Sequence, residues 1–153
     1  MTHDALLRTW FEEVWNRKDE SAIDRILHPR ALAHGLFDDN GQEVIGPENF
    51  KSFFRRFIAS FPSIQVKVID TISEGDKGVA LCEVTMSHSG ADFPLDASHA
   101  LKAANQPVSF GGVSVVKIKD GQFIESWNHF DFLSMYMQLN AIKFTGSEAN
   151  AAE

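Results

Sequence analysis

Apolar residues recur at steps of three and four from Leu6 through Leu7, Trp10, Phe11 and Val14 to Trp15, behind a candidate cap at Thr2 or Asp4. That spacing predicts a helix from about Asp4 to Asn16. Asn16-Arg17-Lys18-Asp19 breaks the pattern, and Ile23, Ile26 and Leu27 then mark a short second helix stopped by His28-Pro29, so the two form a helical hairpin. An extended stretch follows from about Ala31 to Leu36, then a turn cluster at Asp38-Asp39-Asn40-Gly41. Gly46-Pro47-Glu48 opens a third helix with proline in its first turn. Its apolar face carries Phe50, Phe53, Phe54, Phe57, Ile58 and Phe61, and Pro62 ends it.

From Ser63 onward the period changes to two. Ile64, Val66, Val68 and Ile72 alternate as a strand, Glu74 to Gly78 is a hairpin turn, and Val79 to Ser87 returns. Ser89 to Gln106 lacks periodicity and is longer than an ordinary hairpin connection, which marks it as a candidate functional loop. Val108–Lys119 and Gln122–Phe130 read as two long strands joined at Lys119-Asp120-Gly121, and Asp131 to Leu139 is helical again. Helices first, then strands linked by tight turns, then a short closing helix is an α+β order in which a curved antiparallel sheet wraps a packed helix. One domain over residues 1–144 is expected, with a small, polar tail at 145–153 that is expected to be disordered.

Composition narrows the function classes. The formal charge of −7 offers no basic stripe for a phosphate backbone, so nucleic-acid binding is not expected. No apolar run is long enough to span a membrane, and residues 1–10 lack the core of a signal peptide. The lone Cys82 lies in an apolar run and has no internal disulfide partner, so a reducing, cytoplasmic setting is expected. The aromatic set is 13 Phe, three Trp and one Tyr. Phe needs no hydrogen-bond partner when buried, so this set suits a dense core and an apolar cavity equally.

The usual cofactor signatures are missing: no GxGxxG, GxxxxGK[ST], GxSxG, HExxH or CxxC. Ionisable residues set in apolar sequence remain, namely His34, His88 and the run Glu125-Ser126-Trp127-Asn128-His129-Phe130-Asp131. Asp131 sits where a strand gives way to a helix, between Phe130 and Phe132. It fits two roles: a cap accepting from the backbone near Ser134, or a carboxyl sequestered in an apolar pocket with its pKa raised. In an unbroken strand Glu125, Trp127, His129 and Asp131 share one face, and Asn128 and Phe130 the other. The first face reads as the cavity wall. His34 alone suits a core histidine, and His88 an exposed strand-end histidine. No metal-ligand spacing is present, so neither a metal nor any other cofactor is expected.

Taken together, several segments resemble one family. They are Trp10-Phe11-Glu12-Glu13-Val14-Trp15-Asn16, Ala33-His34-Gly35, Gly46-Pro47-Glu48, Met86-Ser87-His88-Ser89-Gly90, the stretch Val108 to Gly121, and the run Glu125 to Leu139. Over residues 3 to 142 the chain resembles the SnoaL-like polyketide cyclases of the nuclear-transport-factor-2-like superfamily. The resemblance implies a cone-shaped α+β barrel around an apolar pocket, and a homodimer through the outer sheet face. It implies Asp131 as general acid/base of an intramolecular aldol ring closure, with His34 and His88 matching histidines that line the pocket; on mechanistic grounds His34 and His129 are expected as its catalytic partners. His88, Trp127, Trp15, Phe50, Phe54 and Phe110 are expected to contact a hydrophobic, carbonyl-bearing small molecule. A neutral Asp131 would donate to the carbonyl under attack while a histidine orients it. Other cofactor-free isomerase, dehydratase or hydrolase chemistry on this scaffold, and a non-catalytic hydrophobic binder, remain open as alternatives; for epoxide opening, Asn128 is expected on the wrong face.

Overall fold

The computed structural model describes residues 1–147, so the expected tail lies outside the described residues from 148 onward. Helix α1 (His3–Trp10) starts at Thr2, whose hydroxyl accepts from the Ala5 amide at 3.1 Å. It runs on as a π-helical turn, Phe11–Asn16, in which the Arg17 amide reaches back five residues to the Glu12 carbonyl. The predicted helix therefore has the right extent and a wider winding. The wide turn buries Phe11, Val14 and Trp15 beside Trp10. The Asn16 amide then clips the helix to the third strand, donating to the Val66 carbonyl at 2.9 Å and accepting from its amide at 2.7 Å.

Helix α2 (Glu20–Ile26) is capped by Asp19, and β1 (Leu27–Phe37) begins at once. A short β2 (Glu43–Ile45) leads into α3 (Gly46–Ser60), which has proline in its first turn as the sequence predicts. The strands β3 (Gln65–Glu74) and β4 (Lys77–Ser87) form the expected hairpin. The aperiodic 89–106 segment contains a two-residue ladder, β5 (Phe93–Pro94) with β6 (Ala100–Leu101). Then come β7 (Pro107–Lys119), β8 (Gln122–Phe130) and α4 (Phe132–Gln138).

The main sheet is α+β in context and ordered β2-β1-β8-β7-β4-β3. Every neighbouring pair is antiparallel except β1 with β8, which is parallel, so the wholly antiparallel sheet is corrected to a mixed one. Parallel pairing needs a long connection. Here α3 and the β3–β4–β7 meander supply it. The sheet curves over the helices and is open, with β2 and β3 as its edges, so the expected barrel is not closed. Register breaks in β1, β3 and β7–β8 mark where strands bend. At one of these Gly35 has φ +83°, and an added Cβ would stand 2.2 Å from the Asn128 carbonyl oxygen, so only glycine fits.

The apolar face of α3 packs into the concave side of the sheet. Phe50, Phe53, Phe54 and Phe57 are buried there with Trp10 and Trp15, and Trp15 meets Phe54 edge-on at 5.2 Å between ring centroids. Among the described residues no helix is long and apolar enough to cross a membrane.

Candidate functional site

Between α1, the π turn, α3 and the inner sheet face lies a cavity of about 80 Å³. Trp10, Phe11, Trp15, Phe50, Phe53 and Phe110 are among its walls. Four polar side chains interrupt them: Ser114 from β7, and Glu125, Ser126 and Asn128 from β8. Ser114 Oγ donates to Asn128 Oδ1 at 3.0 Å. The Asn128 amide donates to Ser126 Oγ at 2.9 Å and to the His34 carbonyl at 3.0 Å. Both amide hydrogens of Asn128 and the Ser114 hydroxyl hydrogen are thereby used. The Ser126 hydroxyl hydrogen has no partner among the described residues and remains free to donate to a guest.

From Ser126 to Phe130 the alternation along β8 is as the sequence implies, but the cavity is on the other side; Glu125, expected on the face of Trp127 and His129, lines the cavity beside Ser126, next to a register break in the β7–β8 pairing. Ser126, Asn128 and Phe130 line it, while Trp127 and His129 do not. This corrects the face on which Trp127, His129 and Asp131 were expected to meet a substrate. His129 is exposed, and Trp127 instead stacks on His34 with ring centroids 5.5 Å apart. Asp131 is exposed as well: its Oδ1 accepts from the Ser134 amide at 3.0 Å and caps α4. The capping role is observed, and the sequestered carboxyl is not. Strand geometry gives the reason, since residue 131 continues the outward row of 127 and 129.

His34 lies beside the cavity rather than in it. Its Nε2 is 2.7 Å from Glu125 Oε2, and its Nδ1 is 3.1 Å from Glu43 Oε1. The hydrogen bond that His34 donates to Glu125, reinforced by Glu43, raises the imidazole pKa above its ordinary value, against the opposing effect of burial. Glu125 is the single ionisable residue among those lining the cavity.

His88 is also misplaced by the sequence reading. It is 1% exposed and outside the cavity lining; its Nε2 donates to the Ala91 carbonyl at 2.9 Å, and its ring packs on Phe61. It anchors the start of the 89–106 segment instead of facing a guest. Trp15, Phe50 and Phe110 do line the cavity, whereas Phe54 is buried behind it against Trp15. Burial pushes the Cys82 thiol up to about 12, so it stays protonated and inert.

The polar patch was missed, although β7 carried a signal for it. Its inward row reads Val108, Phe110, Gly112, Ser114, Val116, Ile118, and Ser114 is the one hydroxyl in it, 4% exposed. A polar side chain in a buried row must have a partner. Among the described residues no three His, Cys, Asp or Glu side chains are grouped so as to hold a metal ion.

No curated protein sequence matches the chain. Solved structures share its fold. TsrD from Streptomyces laurentii superposes with a TM-score of 0.74 at 24% identity, over 91% of this chain and 95% of that one. AclR from Streptomyces galilaeus, provisionally described as a hydroxylase, gives 0.73 at 20% identity over 94% and 83%. IdmH from Streptomyces antibioticus, provisionally described as a polyketide cyclase, gives 0.72 at 19% over 90% and 97%. The family model described as SnoaL-like polyketide cyclase matches residues 5–139. The chain therefore belongs to the SnoaL-like polyketide cyclase family.

Proposed function

We propose that the protein holds the apolar part of a carbonyl-bearing small molecule in the cavity and closes a ring within it by a cofactor-free, aldol-type step. The observation that carries this reading is the hydrogen-bonded triad of Ser114, Asn128 and Ser126 in a largely apolar wall beside Glu125, with the Ser126 hydroxyl hydrogen left over. A carbon flanked by two carbonyls is already acidic, so enolate formation asks only for a proton acceptor and a donor to the oxyanion. Ser126 supplies the donor. Glu125 is the proton acceptor, and its bond to His34 holds its carboxylate in place. The packed rings fold the flexible guest towards a reactive geometry.

One observation favours a second assignment of the proton acceptor. Phe130 and Phe132 both line the cavity, so Asp131 stands at its rim with Oδ2 unused by the cap. The test is the rate of deuterium exchange at C2 of benzoylacetone, followed by NMR, in the native protein and in Glu125→Gln and Asp131→Asn. Loss of about 10²–10⁴-fold is expected in Glu125→Gln alone. The same loss in Asp131→Asn alone would move the chemistry to the rim. Binding without exchange in the native protein would leave a hydrophobic small-molecule binder.

A homodimer through the outer sheet face fits the same reading. Cross-strand pairs Ile72–Val79, Val79–Val115 and Val115–Trp127 set an apolar row across the outer face, with Leu81 beside Val113 in the next row. Ile72 is 65% and Leu81 44% exposed, a patch of the kind that marks an interface.

A further inference from the structure

We infer that Tyr136 is the donor that reads a neutral, oxygen-bearing end of the same guest, held in a cleft that continues the cavity outward. The inference rests on the cavity reading above. At about 80 Å³ the cavity is smaller than the ~150 Å³ apolar void that accepts one benzene, so a ring-bearing guest must extend beyond it. Leu36, Phe53, Phe57 and Phe132 line both the cavity and an outer cleft, which gives the guest one direction in which to extend.

The cleft is built rather than incidental. Its far wall is Phe93 to Ala97, and the segment that carries it is tied to the end of α3: Gly90 and Ala91 donate to the carbonyls of Ser60 and Ala59, and Ser60 Oγ to that of Asp92. Its polar groups are mostly committed. Arg56 pairs with Asp39, donates to the Phe37 carbonyl and lies over the Phe53 ring. Asp38 Oδ1 accepts from the Asn40 and Gln42 amides, and Asp96 Oδ1 from the Ser98 and His99 amides.

Tyr136 is the exception. It lines the cleft, is half-buried, and its hydroxyl has no hydrogen-bond partner among the described residues. Burial raises its pKa, against the opposing charge of Arg56, so the phenol remains a donor. Three carboxylates, Asp38, Asp39 and Asp96, and one guanidinium, Arg56, line this cleft. Such a surface disfavours an anionic end and leaves a ketone or ester oxygen as the fitting acceptor.

Two rigid probes of the same outline test this: anthraquinone and anthracene, which differ in the two ring carbonyls. Affinity is read from quenching of Trp10 and Trp15 in a Trp127→Phe background. Tyr136→Phe is expected to weaken the quinone about 3–10-fold, the worth of one hydrogen bond, and to leave anthracene, which has no acceptor, unchanged. Methyl anthraquinone-2-carboxylate supplies the ester for the charge comparison. Free anthraquinone-2-carboxylate is expected to bind more weakly than its ester. Unchanged quinone affinity in Tyr136→Phe, or acid binding as tight as ester, overturns the inference while the cavity reading stands. Absence of quenching by every probe overturns both.

Discussion

His34 and Glu125 face each other from neighbouring parallel strands, Nε2 to Oε2 at 2.7 Å, one strand position away from the cavity's polar triad. The same His34 lends its backbone carbonyl to Asn128, so one residue joins the outer charge cluster to the inner wall.

Because Glu125 and Glu43 raise the His34 pKa, folding favours the imidazolium. Stability from this source is complete below the unfolded value of about 6.5 and is lost as pH rises through the higher folded value. Urea unfolding is expected to show a larger free energy at pH 6 than at pH 9, and the His34→Gln variant to lack that part of the slope. A slope identical in the variant would show that His34 is not the group responsible.

Asn128→Leu strands three partners at once: the His34 carbonyl, Ser114 Oγ and Ser126 Oγ. A cost of about 1–3 kcal/mol per unsatisfied buried group is typical, so chemical denaturation should register a loss at the upper end of point mutants. Ser114→Ala, which removes one bond and leaves no orphaned donor, should cost about 1 kcal/mol.

Asp131→Ala removes the cap from α4 and is expected to cost about 0.5–2 kcal/mol in urea unfolding, while Asp131→Asn, itself a good cap, costs little. Equal stability of all three proteins would mean that the bond to Ser134 contributes nothing in solution.

On the outer face, Ile72→Glu and Leu81→Glu together place charge in the exposed apolar row. Sedimentation equilibrium is expected to find a dimer for the native chain and a monomer for the double variant, with the unfolding midpoint of the separated chain within the small range of surface substitutions. A native monomer at micromolar concentration would remove the dimer.

Much of this was legible along the chain. The α3 stripe from Phe50 to Phe57, its proline start and the β7–β8 hairpin follow from local spacing and turn chemistry. The parallel β1–β8 pair was not, because Leu32 and Glu125 are brought together across a long connection that leaves no local mark. From Ser126 to Asp131 the two faces of β8 were sorted correctly and assigned backwards; Glu125, next to a register break, was grouped with the wrong face. Trp127 looked like a cavity residue because solvent faces rarely carry tryptophan, yet here it covers His34 on the outer face. Asn128 was placed on the face away from the cavity, yet it is the centre of the inner triad. Period-two alternation tells which residues travel together; the cross-strand partners decide which way they look.

The most direct measurement of the inner-face claim uses protein labelled with 5-fluorotryptophan, whose three fluorine resonances are assigned by Trp→Phe variants and followed by NMR as benzoylacetone is added. Trp10 and Trp15 line the cavity and Trp127 does not. Saturable shifts of the first two resonances with Trp127 unmoved are expected. A saturable shift of Trp127 alone would contradict the assignment and return the site to the opposite side of the sheet.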